Sequence, residues 1–422
     1  MPTLVTKVHT QAIRQLSVEH FRFVEQATKM AAIFEEPAPD FENFVLTPKS
    51  HPVQHTECFI PAATPQCHAS NLLILDNGEM LCAWFGGMQE GKPDISIYLS
   101  RRSIGSTSWT KAKKVTFDTT RSEQNPVLFQ TPSGEVWLLY TSQHLGDQDS
   151  AFVKKQVSAD RGNSWSKPEA LFTEPGTFIR QPVVVLESGS WVVPTFRCRS
   201  EPGERWVGND DISVIRISHD QGKTWIEKEV PNSFGAVHME IKQLKDRSYL
   251  ALFRSRWADF VYKATSPNGI DWSEPTPTTL PNPNAGICFD VLPSGRVLAV
   301  YNHSSRLNAQ GRREGLYDDI AAADDVRSNQ TSKHAGKEAF WGAPRAPLCL
   351  GWSDDDGKSW KHRILEEGDG YCMTNNSEQK LNRELSYPSM VSGEDVMVHI
   401  AFTFWRQGIK YVQLSPEIVN SL

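Results

Sequence analysis

The stretch Ser158-Ala-Asp160-Arg-Gly162-Asn-Ser164-Trp165 decides the fold because it is repeated. Ser218-His-Asp220-Gln-Gly222-Lys-Thr224-Trp225 and Ser353-Asp-Asp355-Asp-Gly357-Lys-Ser359-Trp360 carry the same pattern. A shortened copy stands at Ser266-Pro-Asn268-Gly269-Ile-Asp271-Trp272, and a degenerate one runs from Ser100 to Trp109. The chemistry of this loop is structural. Its Asp accepts backbone N–H groups of the turn, its Gly takes the positive φ that closes a hairpin, and its Trp supplies apolar area between strands.

Around these loops recurs a longer phrase: an apolar strand, a turn usually built on Gly, and a second apolar strand ending in polar residues. Its six copies start near Asn71, Asn125, Gln181, Met239, Gly286 and Tyr387. A four-strand unit repeated every ~40–60 residues cannot bury both faces alone and stacks around an axis. The sequence therefore predicts an all-β, six-bladed β-propeller over residues 56–422. A helical or irregular extension is expected over 1–55, where Thr10–Phe34 has apolar positions at helical spacing before a Pro-rich stretch. That helix is read as packing on the outside of the propeller, with a homodimer contact as its alternative. A long functional loop or lid is expected at 306–344, rich in Arg, Asp, Ala, Gly and Lys.

The 422 residues carry a net charge of -6 and no dense basic stripe, which argues against nucleic acid and anionic membrane as partners. The start has no signal-peptide core, and nowhere do ~18 apolar residues run together, so the expected location is cytoplasmic. Seven Cys residues, without a C-x-x-C pair, read as reduced and buried rather than as a disulfide frame or zinc site. No metal or other cofactor is expected.

The strand ends that flank the paired-strand phrases hold an unusual set of polar residues: His68, Glu90, Asp94, Arg180, Arg199, His238, Glu240, Arg254, Arg256, His303, Arg345, Tyr387 and Arg406. Converging ionisable groups of this kind are costly to bury unpaired and mark a candidate ligand site at the propeller mouth.

On the Asp boxes, Trp84-Phe-Gly-Gly-Met-Gln-Glu90-Gly-Lys-Pro-Asp94, Asn282-Pro-Asn284-Ala-Gly286, Tyr301-Asn-His303, Ser386-Tyr387-Pro388 and Trp405-Arg406, the chain resembles the sialidase (neuraminidase) superfamily. Within it, the resemblance is to Asp-box, BNR-repeat propellers of the predicted-neuraminidase type, over roughly residues 65–415. The resemblance implies Asp94 as acid/base, Tyr387 as nucleophile and Glu240 as the group that polarises it. It also implies Arg345 and either Arg254 or Arg256 as carboxylate-binding arginines. The first arginine of the family's triad is replaced by His68, which favours a sugar other than that of a standard sialidase. The leading expectation is thus an exo-acting glycosidase that removes a terminal acidic sugar. The alternatives are a lyase on a uronate-containing oligosaccharide such as rhamnosyl-glucuronate, with His68, His238 or His303 and Tyr387 as base and acid, and a non-catalytic propeller that binds a glycan or protein.

Overall fold

A computed structural model describes residues 39–313, 315–317, 328–329, 331, 334, 336–376, 379–393 and 395–422. The expected helix at Thr10–Phe34 lies outside them. The unit Asn43–Leu422 is built, in its described residues, of six antiparallel sheets around one axis. The first blade runs outward through Gln66–Ile74, Met80–Gly87, Ser96–Arg102 and Lys113–Lys114. The inner two strands of the following blades are Ser122–Gln130 with Val136–His144, the broken strand Thr177–Ile179 and Val184–Val185 with Trp191–Arg197, Ala236–Gln243 with Tyr249–Ser255, and Cys288–Val291 with Val297–Asn302. The sixth blade begins with Leu385–Ser392, Val398–Phe404 and Gly408–Leu414.

That sixth sheet is completed by His55–Ile60 and Thr47–Lys49 from the other end of the chain. The boundary expected before residue 56 is corrected accordingly, since the closing strands reach back to Thr47. The buried Lys410 ammonium pins this seam, 2.9 Å from Glu57 and 2.8 Å from Glu366. Inner strands are apolar on both faces because blades stack face to face. Leu81, Ala83 and Phe85 of the first blade, for example, share a core with Leu128, Leu138 and Tyr140 of the second.

The three complete Asp boxes have one geometry. In the second of them, Asp220 Oδ1 accepts from the Thr224 N–H at 2.9 Å, and Asp220 Oδ2 accepts from the Thr224 hydroxyl at 2.6 Å. The Ser218 hydroxyl oxygen accepts from the Gly222 N–H at 2.7 Å. Gly222 has φ +84°, and a Cβ there would stand 2.4 Å from the Trp137 ring of the neighbouring blade. Gly222→Ala is therefore expected to cost about 2 kcal/mol or more, from left-handed backbone strain and overpacking together. Gly134→Ala, at φ +93° with nothing within 4 Å, should cost the strain alone. Denaturant unfolding of the pair separates the two contributions, and equal losses would show that the box does not dock on Trp137.

At the opposite end of the blades a further apolar cluster forms from Phe178, Phe196, Trp206, Leu316, Tyr317 and Trp341. Its last three members come from the 306–344 segment, whose described residues cover the mouth. There the Trp341 indole donates to the Val207 carbonyl at 2.9 Å and the Phe340 N–H to the Arg256 carbonyl at 2.9 Å. Among the described residues no helix is long and apolar enough to cross a membrane.

Candidate functional site

Each innermost strand pairs with the second strand across a tight turn, closing at Ile74↔Met80, Gln130↔Val136, Val185↔Trp191, Gln243↔Tyr249, Val291↔Val297 and Ser392↔Val398. Counting back from the first member of each pair by the same step reaches Ala69, Asn125, Arg180, His238, Gly286 and Tyr387 (74 − 5, 130 − 5, 185 − 5, 243 − 5, 291 − 5, 392 − 5). These are equivalent positions on six blades. Ala69, Asn125, His238 and Tyr387 have positive φ, from 50° to 59°, and the pairing register shifts at each of them. A bulge at this point re-aims the side chain out of the sheet.

The ring members meet one another, which places them at the axis. The Arg180 Nη2 group donates to the carbonyls of Ser70 (3.0 Å), Tyr387 (3.2 Å) and Pro388 (3.1 Å). The His238 and Tyr387 rings are 5.6 Å apart. Gly286 leaves room for Tyr387, since a Cβ there would lie 3.3 Å from the Tyr387 ring.

Second-strand ends and the loops beyond them add the rest. The Tyr387 hydroxyl oxygen accepts a short hydrogen bond from Arg254 Nη1, and Arg254 Nε donates to Asn284 Oδ1 at 2.7 Å. Arg345 donates to Glu384 at 2.9 Å, and Arg406 donates to the other Glu384 oxygen at 2.9 Å and to Glu90. His68 stacks 4.2 Å from the Tyr387 ring; its Nδ1 is 2.9 Å from the Thr403 hydroxyl, and its Nε2 is 3.4 Å from Arg406 Nη2. With Arg406 able only to donate, Nε2 is the acceptor and Nδ1 carries the proton. Trp341 lies over Arg254.

The charges do not cancel. Glu384 and Glu90 serve Arg345 and Arg406, whereas Arg180 and Arg254 have no carboxylate ion partner among the described residues. Arg180 Nε and Nη1, Arg254 Nη2, Arg345 Nε and His238 Nδ1 are buried donors or acceptors without a hydrogen-bond partner among the described residues. Burial pushes the Arg254 pKa down to about 9, still protonated at neutral pH. It also holds both histidines well below their usual range, His68 with help from Arg406 and His238 with help from Arg254, so both rings are neutral. Burial alone would raise Glu384, but Arg345 and Arg406 outweigh it and keep this carboxylate ionised. The result is a buried, cationic cluster around one phenol, suited to gripping an anion and moving a proton near it.

The BNR repeat-like domain model matches residues 78–400. The chain belongs to that family. Among solved structures, this BNR propeller is similar to a Hadza microbial sialidase (13% identity, TM-score 0.61, covering 84% of this chain and 66% of that one). It is similar also to a protein of unknown function from Dyadobacter fermentans (14%, 0.60, 85% and 97%). A third is the leech intramolecular trans-sialidase complexed with 2,7-anhydro-Neu5Ac (11%, 0.58, 85% and 69%). At these identities the likeness is one of fold. No curated protein matches the chain.

Of the residues singled out in the sequence, this BNR propeller brings together His68, Glu90, Arg180, His238, Arg254, Arg345, Tyr387 and Arg406. Arg256 stands one layer away, donating to Asp211 at 2.8 Å between Trp206 and Trp341. Three of the expected residues stand apart from this cluster. Asp94 is exposed and caps its own loop, accepting from the Met88 N–H at 2.5 Å; it is Glu90 on that loop that reaches the cluster. Arg199 is exposed and turned to Glu229 at 2.5 Å. His303, just past the second strand of its blade, bonds the Tyr301 hydroxyl at 2.6 Å and stacks on exposed His362 of the outermost strand. The residue that sequence reasoning missed is Glu384, three positions before Tyr387.

Glu240 is buried but does not bond the Tyr387 hydroxyl. It accepts from the Phe289 N–H of the next blade at 2.9 Å, as Asn71 at the equivalent position accepts from Leu128 at 2.9 Å. Burial raises its pKa to about 7. A carboxyl raised from 4.5 in the unfolded chain to about 7 in the folded one contributes stability that is full below 4.5 and lost as pH rises through 7. Glu240→Gln keeps the acceptor and should remove this dependence, gaining on the order of 3 kcal/mol on the wild type between those limits. Parallel pH-stability curves for the two proteins would show that Glu240 does not titrate in that window.

Proposed function

We propose that the axial cluster is the active site of a carbohydrate-active enzyme that takes a terminal acidic sugar by its carboxylate and breaks the glycosidic bond beside it. The observation that carries this reading is the pair of buried guanidiniums, Arg180 and Arg254, without a carboxylate ion partner among the described residues. An uncompensated buried charge costs several kcal/mol, and a substrate carboxylate is the group that offsets it. Arg345, held by Glu384, offers a third donor on the same side of Tyr387. The likeness to sialidases and to a trans-sialidase supports glycosidic chemistry at this mouth.

In this reading Tyr387 attacks the anomeric carbon. A neutral phenol approaches a carboxylate-bearing carbon with less repulsion than an Asp or Glu would. The phenol proton passes to the neutral His238 imidazole beside it as the Tyr387 oxygen bonds the anomeric carbon; Arg254, donating to that oxygen, favours its deprotonated form, and the departing sugar oxygen takes a proton from water. A second reading is favoured by one observation: two neutral imidazoles flank Tyr387, while Glu240 is turned to the next blade. His68 or His238 would then take the proton α to a uronate carboxylate that Arg180 and Arg254 neutralise, and Tyr387 would protonate the leaving oxygen.

The test is a panel of terminal sialosides, terminal uronides and uronates glycosylated at O4, with products followed both by reducing-sugar release and by the ultraviolet absorbance of an unsaturated uronate. Sugar release without that absorbance supports displacement; its appearance supports elimination. A panel cleaved equally well with neutral terminal sugars would remove the carboxylate from the argument.

A further inference from the structure

We infer that Asn284 is the positioning residue that makes the axial site select an anion: its amide aims the Arg254 guanidinium and, carrying no charge, leaves the charge of Arg254 to the ligand. This rests on the function proposed above and names the residue behind its carboxylate preference. Asn284 is 1% exposed and lies between the outer strand of the fourth blade and the innermost strand of the fifth. Its φ is +56°, a left-handed conformation that Asn tolerates better than most side chains.

Three hydrogen bonds fix this residue. Its Oδ1 accepts from Arg254 Nε at 2.7 Å, its Nδ2 donates to the Phe340 carbonyl at 3.0 Å, and its own carbonyl accepts from Arg345 Nη2 at 3.2 Å. Arg254 Nε can only donate and the Phe340 carbonyl can only accept, so the amide has one orientation. Asn284 thus touches two of the guanidiniums that lie against the Tyr387 ring. Holding Arg254 by Nε turns Nη1 to the Tyr387 hydroxyl and leaves Nη2, which has no hydrogen-bond partner among the described residues, for a ligand.

The guanidiniums around Arg254 are held differently. Arg256, two residues on, donates to the Asp211 carboxylate at 2.8 Å, and Arg345 and Arg406 share the carboxylate of Glu384. At Arg254 alone of these four an amide takes that place. A carboxylate at position 284 would stand within hydrogen-bond distance of Arg254 and cancel much of the attraction it offers to a substrate anion. An amide gives the same acceptor without the charge. Asn and Asp have nearly the same shape, so the difference between them here is electrostatic rather than steric.

The test uses the full chain, saturation-transfer NMR and two probes, acetate as a bare carboxylate and glucuronic acid as a sugar that carries one. Both are expected to bind the wild type and to lose about tenfold or more in affinity in Asn284→Asp. Asn284→Gly suits the left-handed backbone and removes the aim but not the charge, so its loss should be smaller, about threefold. A residue that only aimed the guanidinium would give the opposite order, since Asp keeps the acceptor and Gly does not. Acetate that fails to bind the wild type, that binds either variant as tightly as the wild type, or that loses more in Asn284→Gly than in Asn284→Asp overturns the inference. If Asn284→Asp does not fold, Asn284→Gly decides alone, and acetate bound by it as tightly as by the wild type is the overturning result. Glucuronic acid bound no better by the wild type than by Arg254→Met strikes the proposed function instead and leaves the acetate order to judge Asn284.

Discussion

Tyr387→Phe is expected to lower kcat on an acidic glycoside about 100-fold or more, a loss of roughly 2.7 kcal/mol of transition-state stabilisation, with KM nearly unchanged. The substitution keeps the ring that packs between His68 and His238 and removes only the oxygen that accepts from Arg254. Because that oxygen serves a buried guanidinium, stability should also fall, by about 1–3 kcal/mol. Rates are therefore to be compared well below the melting range of both proteins. A purely structural tyrosine would give the same stability loss with near-full turnover, and that outcome would take Tyr387 out of the chemistry. Both the displacement and the elimination readings predict the drop, since each needs the phenol oxygen.

The fold was legible because its signals are local. An Asp box closes on itself within eight residues, so Ser218, Asp220, Gly222 and Thr224 declare their hydrogen bonds in the sequence. The six paired-strand phrases also located the axial ring, since Asn125, Gly286 and Tyr387 stand at phrase starts and Arg180 and His238 one residue before them. What was not legible depends on partners distant in the chain. Glu384 looks like any charge at a strand start until Arg345 and Arg406 close on it. Glu90 and Asp94 share one loop, and only the path of that loop past Arg406 decides which of them reaches the cluster. The role of Glu240 could have been read by aligning it with Asn71, because both accept from equivalent N–H groups of the next blade. That signal is a register between repeats, which similarity of composition does not reveal.

Arg254→Met is expected to abolish carboxylate recognition while leaving the melting temperature unchanged or higher. In the ligand-free protein Arg254 is 1% exposed, without a carboxylate partner among the described residues, beside Arg180, Arg256 and Arg345. Its hydrogen bonds to Asn284 and the Tyr387 hydroxyl offset part of the desolvation cost, and its Nη2 group has no hydrogen-bond partner among the described residues. Replacing a buried, poorly compensated charge by an apolar side chain of similar length is neutral or stabilising by about 1–4 kcal/mol. Removing one arm of a desolvated charge pair in the complex costs about 2–5 kcal/mol of binding, which is more than tenfold in kcat/KM. The two measurements must move in opposite directions if the residue is held for its ligand. A steep loss of stability with activity retained would instead make Arg254 a brace for Asn284 and Tyr387, and the anion site would then rest on Arg180 and Arg345 alone. The opposition itself is the physical signature of a binding arginine: the protein tolerates an unpaired charge in its core because the substrate supplies the other half of the pair.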